Sequence, residues 1–230
     1  MIIPDTDLFI ENLVSIDEFI ESPDYIGEYT NNGTKIVSPC KEILHDWFSE
    51  NDEVVNYYTT GTTADTSLTC AVAMAYQLYK LLAFKDIHTT FAFPTDHNIA
   101  MAFYNTLHTD ATANCYRYFN DMLCVSPWFL KHGTVGGIDK NIYVPKQNIR
   151  ILPASIDFPL LGVQLYSAVY DVQNLDAFTD KETMKSQLIQ SHFGTQARII
   201  SRFTLNGKCY GKQFTADPFI INEVIKHEHT

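Results

Sequence analysis

Apolar residues near the start of the chain recur at helical spacing. Leu8, Ile10, Leu13, Val14 and Phe19 fall on roughly one face and predict a helix over residues 6–21. Ser38-Pro39 predicts the start of a second helix, with proline at its first position, running to about Glu50. The Val- and Tyr-rich run from Glu53 to Thr59 predicts a strand. The most apolar segment, Leu68 to Phe84, contains Gln77 and Lys80 and falls short of the roughly 20 residues a membrane span needs. It predicts a buried core helix, capped by Asp65 or Thr66. Residues 89–93 are a short β-prone run. Pro94-Thr95-Asp96 ends it and caps a helix expected through about Leu107. A short helix over 111–120, a buried strand over Met122 to Val125, and a loop with Gly133, Gly136 and Gly137 complete this half.

In the second half, Asn148 to Leu152 predicts a strand closed by Pro153, and Pro159 to Tyr170 a helix. Thr179-Asp180-Lys181-Glu182 has the form of a capping box before a helix to about His192. Ala197 to Leu205 and Lys208 to Phe214 predict two strands joined at Asn206-Gly207, a hairpin signal. The tail from Ile220 to Ile225 reads as either strand or helix. The alternation predicts one α/β domain over residues 1–230, with a mainly parallel mixed sheet flanked by helices and a C-terminal β-hairpin. Right-handed crossovers would then bring three loops, Thr59–Ser67, Pro94–Asn98 and Ser126–Gly137, to one edge of the sheet as a ligand pocket.

Charge changes this picture in one respect. Residues 1–60 hold 13 acids and 2 bases, while the other 170 residues are balanced, so the whole net charge of −11 lies in the first quarter. That excess argues against nucleic acid, whose phosphates require clustered Lys and Arg. It reads as a solubilising face or as a docking surface for a basic partner protein. Five cysteines, with no C-x-x-C pair, read as reduced and mostly buried thiols. Met1-Ile2-Ile3-Pro4 leads straight into acids without a signal-peptide pattern, so a cytoplasmic protein with no membrane association is expected.

Candidate chemistry centres on Tyr57 to Ser67, where Thr59, Thr60, Gly61, Thr62 and Thr63 lead toward the apolar helix. Backbone N–H groups and hydroxyls in such a turn can wrap a phosphate at the positive end of a helix. Tyr58-Thr59-Thr60-Gly61-Thr62-Thr63-Ala64 agrees at five of seven places with the Y-T-S-G-T-T-G phosphate loop of adenylate-forming enzymes. Phe93-Pro94-Thr95-Asp96-His97 stands where that superfamily has a Pro-x-x-His-like motif, and Tyr210-Gly211 where it has Y-G-x-T-E. Residues 53–215 thus resemble the N-terminal AMP-binding domain of acyl-CoA synthetases and adenylation domains, behind an acidic helical segment over 1–52. The resemblance implies a ligase-type activity in which ATP activates a small carboxylate as its acyl-adenylate. It implies phosphate contacts at Thr59, Thr60, Gly61, Thr62 and Thr63, adenine contacts at Tyr210 and Gly211, and His97 as the catalytic-site residue facing the acyl pocket. ATP and Mg²⁺ are the implied cofactors.

The chain departs from the family pattern at chemically important places. Thr66 and Ser67 stand near the usual loop lysine, and Lys212-Gln213-Phe214-Thr215 follow Tyr210-Gly211, so the Mg²⁺-binding glutamate is missing. The family's later ribose aspartate and lid lysine have no counterpart. Slow or no unaided turnover is expected of a truncated, degenerate or split relative. Other groupings read as ordinary structure: Asp96-His97 as a helix cap and its neighbour, and His227-Glu228-His229 as a solvated tail. Cys115, Cys124, His108 and His132 fit no standard zinc spacing, and no metal-binding residues are assigned. The alternative function is a non-catalytic structural or assembly subunit, such as a viral or scaffold protein. Its 13 Tyr and 15 Phe would then supply an aromatic-rich interface in an oligomer or complex.

Overall fold

The computed structural model describes residues 8–32, 36, 38–48, 56–60, 66–90, 94–105, 115–133, 142–155, 164–172, 198–205 and 208–215. The chain is a mixed α/β structure. Among the described residues three helices precede β1: α1 (Ile16–Glu21), α2 (Gly27–Asn32) and α3 (Ser38–Phe48). Ser15 caps α1 by accepting from the Glu18 N–H, which starts the helix well after the expected residue 6. Residues 9–14, just before it, are not helical. Phe9 bridges to Phe84, Ile10 N–H donates to Ala83 O, and Lys85 N–H donates to Leu8 O. Gly27 permits the close return of α2 onto α1. A Cβ there would stand 2.5 Å from Glu21 O and 2.6 Å from the Ser22 carbonyl.

The helix α4 (Thr66–Ala83) is the hub of the core. Leu68 through Tyr79 are all buried, a pattern that arises when a helix is apolar all round and is covered on every side. It packs against α1, α3, α6 (Cys115–Val125) and β5 (Gln164–Val172). Phe19 of α1 is fully buried among Tyr25, Tyr76, Tyr79 and Phe129, with ring centroids 5.2–6.2 Å away. Tyr79 OH accepts from Val14 N–H at 3.0 Å, and Tyr76 OH donates to Val14 O at 2.7 Å, tying the incoming chain to α4. Lys80 interrupts the apolar surface, with its ammonium 5.2 Å from the Phe48 ring centroid and 5.3 Å from that of Tyr76.

The sheet centres on β2 (Ile99–Asn105), with β4 (Ile149–Ser155) parallel on one side and β3 (Ile142–Val144) antiparallel beyond it. β5 pairs parallel on the other side of β2. β6 (Arg198–Leu205), β7 (Lys208–Thr215) and β1 (Asn56–Thr60) follow, giving the order β1-β7-β6-β5-β2-β4-β3. Among these described strands, β3 and β7 run opposite to the other five. Phe103 of β2 packs on Tyr116 and Phe119 of α6, which joins the helical layer to the sheet.

Several elements differ from the sequence-based expectation. The helix expected after Pro94 is the strand β2. Ile99 to Phe103 are all buried, and an unbroken apolar run is what a central parallel strand covered on both faces produces. The β-prone run at 89–93 begins instead as the short helix α5 (Ile87–Thr90). Asp86 starts it, accepting from Thr89 N–H at 3.0 Å and from the Thr89 hydroxyl at 2.6 Å. The expected strand at Met122 to Val125 is the end of α6, whose buried Cys115, Tyr116, Phe119, Met122 and Leu123 follow a helical period. Part of the helix expected over 159–170 is the strand β5. The Ser126–Gly137 loop opens with a further helix, α7 (Pro127–Lys131), with Ser126 as its cap. The expected elements at 179–192 and 220–225, and the Asn206-Gly207 turn, lie outside the described residues.

Candidate functional site

The strand directions separate two edges of the sheet. At the carboxyl edge β1 ends in Thr59 and Thr60, paired in register with Cys209 and Lys208 of β7. Tyr58 pairs with Tyr210, and Tyr57 with Gly211. Four of the expected nucleotide-site residues, Thr59, Thr60, Tyr210 and Gly211, therefore occupy neighbouring strands although about 150 positions separate them in the chain. Gly61, Thr62 and Thr63 lie outside the described residues, as does Asp65. Three levels in from Thr60, a row of register partners runs Ser155, Asn105, Asp171, Arg202, Gly211, Tyr57 across six strands. After β2 the chain passes to β3 and β4 on one side. After β5 it passes to β6 and β7 on the other. The carboxyl ends of β2 and β5 thus form a topological switch point, the usual ligand position of open α/β sheets.

His97 is not brought to this edge. It lies just before Ile99 at the amino end of β2, four strands from β1. Four strand spacings amount to roughly 19 Å, and the levels of Ile99 and Thr60 differ by roughly 30 Å along the strands. The loop at Pro94–Asn98 leads into β2 rather than out of a strand, so it does not share an edge with the Thr59–Ser67 segment. The three-loop pocket expected from the sequence is not formed by these elements.

The amino edge has its own organisation, centred on Asn148. Its backbone is left-handed, at φ 55°, a conformation asparagine tolerates better than most residues. The Asn148 side-chain amide donates to Asp96 O and His97 O, each at 3.1 Å, and its Oδ1 accepts from Tyr143 OH at 3.1 Å. Its backbone carbonyl accepts from Ile99 N–H at 3.0 Å. The turn carrying the exposed Asp96 and His97 is thereby fixed onto the entry to β4.

Close to that turn, His88 and Gln147, which the sequence pattern did not single out, are in contact. His88 of α5 is 7% exposed, and its Nε2 lies 3.3 Å from the backbone carbonyl of Gln147. Gln147 Nε2 donates to Phe84 O at 3.0 Å. Asn98 precedes Ile99, whose N–H reaches the residue after Gln147. His88 Nδ1, Asn98 Oδ1 and Gln147 Oε1 are buried without a hydrogen-bond partner among the described residues. The signal for His88 was weak, since it sits in an Ile-His-Thr-Thr string without helical periodicity.

Elsewhere polar groups serve the fold. Glu11, one of the acids of the first quarter, accepts from Trp128 Nε1–H at 2.7 Å. His132 stacks on Trp128 at 4.0 Å between centroids, and its Nδ1 lies 2.7 Å from Trp128 O. Cys115 is buried and Cys124 exposed on α6, and nine positions along a helix turn through about 180°. No group of three or more His, Cys, Asp or Glu able to hold a metal gathers among the described residues. Burial pushes the Tyr116 hydroxyl up to about 12, and desolvation also raises Tyr79. Phe19, Tyr76, Tyr79, Phe103, Tyr116, Phe119, Trp128 and Phe129 are buried, and Tyr143 is exposed. No helix among them is long and apolar enough to cross a membrane. No protein-family profile, no curated protein and no solved structure matches this chain.

Proposed function

We propose that the chain binds the phosphates of an adenine nucleotide, ATP or AMP, at the carboxyl edge of its sheet, as a degenerate relative of adenylate-forming domains. The observation that carries the reading is the β1–β7 register, which sets Tyr58 beside Tyr210 and Tyr57 beside Gly211. Thr59, Thr60, Gly61, Thr62 and Thr63 would wrap the phosphates through N–H and hydroxyl donors. Tyr210 and Gly211 would border the adenine. The pairing of Thr60 with Lys208, and Arg202 three levels further in, supply the two cations nearest this edge by register among the described residues. Residues 198–215 are part of the same reading, as a C-terminal β-hairpin turning at Asn206-Gly207 that brings Lys208 alongside β1.

The chemistry of the resembled family is attack of a carboxylate on the α-phosphate, forming an acyl-adenylate and releasing pyrophosphate. The residues present do not fit its Mg²⁺ site. Phe214 follows where the family motif needs a carboxylate, and its partner Ile199 lies near the amino end of β6, away from Thr60. His97 is likewise remote. The reading is therefore nucleotide binding by 53–215, with unaided turnover slow or nil. A protein partner at the acidic residues 1–60 would supply what is missing.

Calorimetric titration with ATP and AMP, with and without Mg²⁺, tests this. Micromolar binding that disappears in a folded Gly61→Trp variant is expected. A folded wild-type protein that takes up neither nucleotide would overturn the reading.

A further inference from the structure

The string Thr59 to Thr63 brings no positive charge of its own to a phosphate. From Asp46 to Tyr79 the chain contains no Lys, Arg or His, and Asp65 stands just beyond the string. Neutral N–H and hydroxyl donors hold an anion roughly half as strongly as charged donors do. The protein as a whole carries a net charge of −11. A polyanion at the carboxyl edge therefore calls for a cation from another element. Strand register supplies one. β1 and β7 run antiparallel with Thr60 directly opposite Lys208, at the last pair of the ladder. Directly opposite residues share a face of the sheet, with Cβ atoms about 4.5–5.5 Å apart. The pleat puts Tyr58 and Tyr210, the pair two levels in, on that same face. The other bases of β6 and β7 do not share this position. Arg202 pairs with Gly211 on the alternate face, roughly 10 Å further in. Lys212 shares the face of Lys208 but pairs with Asn56, roughly 13 Å further in. Arg198 pairs with Thr215 at the far end of its ladder.

We propose that Lys208 is the phosphate-binding lysine of the nucleotide site, supplied by β7 to the string that leaves β1; the assignment rests on the nucleotide reading above. It compensates for Thr66 and Ser67, which stand near the usual loop lysine. A loop lysine comes with its loop, whatever the rest of the chain does. Lys208 comes to Thr60 only through the pairing of β7 with β1. Phosphate binding and the closing of this end of the sheet are then one event, and a bound nucleotide stabilises the β1–β7 pairing.

The test titrates the full chain calorimetrically with ATP and with AMP, as wild type and as Lys208→Ala, Lys208→Arg and Lys212→Ala. Lys208→Ala should weaken the tighter-bound nucleotide about tenfold or more, through loss of one charge-assisted contact. Lys208→Arg keeps the charge and should retain most of the affinity. Lys212→Ala removes the same charge from the same strand and face and should change it little. A second measurement needs no variant. Acetylation of the wild-type protein by an N-hydroxysuccinimide ester, read by mass spectrometry, should slow at Lys208 and not at Lys212 when that nucleotide is saturating. The proposal is overturned if a folded Lys208→Ala binds as tightly as wild type, if Lys212→Ala loses as much, or if nucleotide leaves Lys208 acetylation unchanged. In each of those cases wild-type binding still stands and the nucleotide reading survives. A folded wild type that binds neither nucleotide overturns both.

Discussion

The two edges of the sheet are built on different principles. The carboxyl edge owes its character to a continuous string of small polar residues leaving β1, and to strand register that sets distant segments side by side. The amino edge owes its character to single side chains from three separate segments, held by hydrogen bonds that converge on Asn148 and Gln147. A site made from a string can be read along the chain. A site made from scattered residues exists only once the fold is known.

The broadest challenge to this contrast is a change in the core both edges share. Phe19→Ala removes a fully buried ring from the aromatic cluster on α4 and should cost about 3–5 kcal/mol in denaturant unfolding, weakening both edges together. Asn148→Ala should act on one edge only. It removes three side-chain hydrogen bonds and the left-handed preference, for about 2–3 kcal/mol, while nucleotide affinity stays unchanged. Asn148→Gly should recover about 1 kcal/mol of that loss, because glycine adopts the same φ freely. Equal loss of nucleotide binding in the Asn148 variants would show that the edges are coupled. Ser15→Ala tests a feature remote from both, and loss of the α1 cap should cost about 1 kcal/mol with nucleotide affinity unchanged.

The smallest effect is set by pH. The Tyr116 hydroxyl ionises near 10 in the unfolded chain and is pushed up to about 12 when buried beneath β2. The folded state therefore holds its proton longer. The stability contributed is full below pH 10 and is lost as pH rises from 10 toward 12. Tyrosinate absorbance should show Tyr116 ionising late, and Tyr116→Phe should flatten that part of the stability profile.

The sequence disclosed long, uniform features best. Ser38-Pro39 marks the start of α3, and the apolar run beyond Thr66 marks α4. Where two structures share one pattern, tertiary context decided. Ile99 to Phe103 is Ala-containing and unbroken in hydrophobicity, which suits a helix as well as a strand buried on both faces. Met122-Leu123-Cys124-Val125 reads as a strand until Cys115, Tyr116 and Phe119 are counted with it. Ser15 and Glu18 have the spacing of a capping box, so the start of α1 was legible, but the apolar residues before it masked that signal. Of the candidate sites, the threonine string stood out in the sequence. The contacts of His88 with Gln147, and of Asn148 with Asp96 and His97, did not, because they arise where α5 and the segments entering β2 and β4 meet rather than from any local period.

The burial of α4 also has a consequence in time. Its partners α1 and α3 are synthesised before it, but α6 and β5 come after, the last of them ending at Val172. During synthesis an 18-residue helix with Lys80 as its only charge stands half covered until about 90 further residues have emerged. At 5–20 residues per second that interval lasts roughly 5–18 s, long enough for a chaperone to intervene or for nascent chains to associate. The helix that organises the finished core is thus the segment most exposed to capture while the chain is being made.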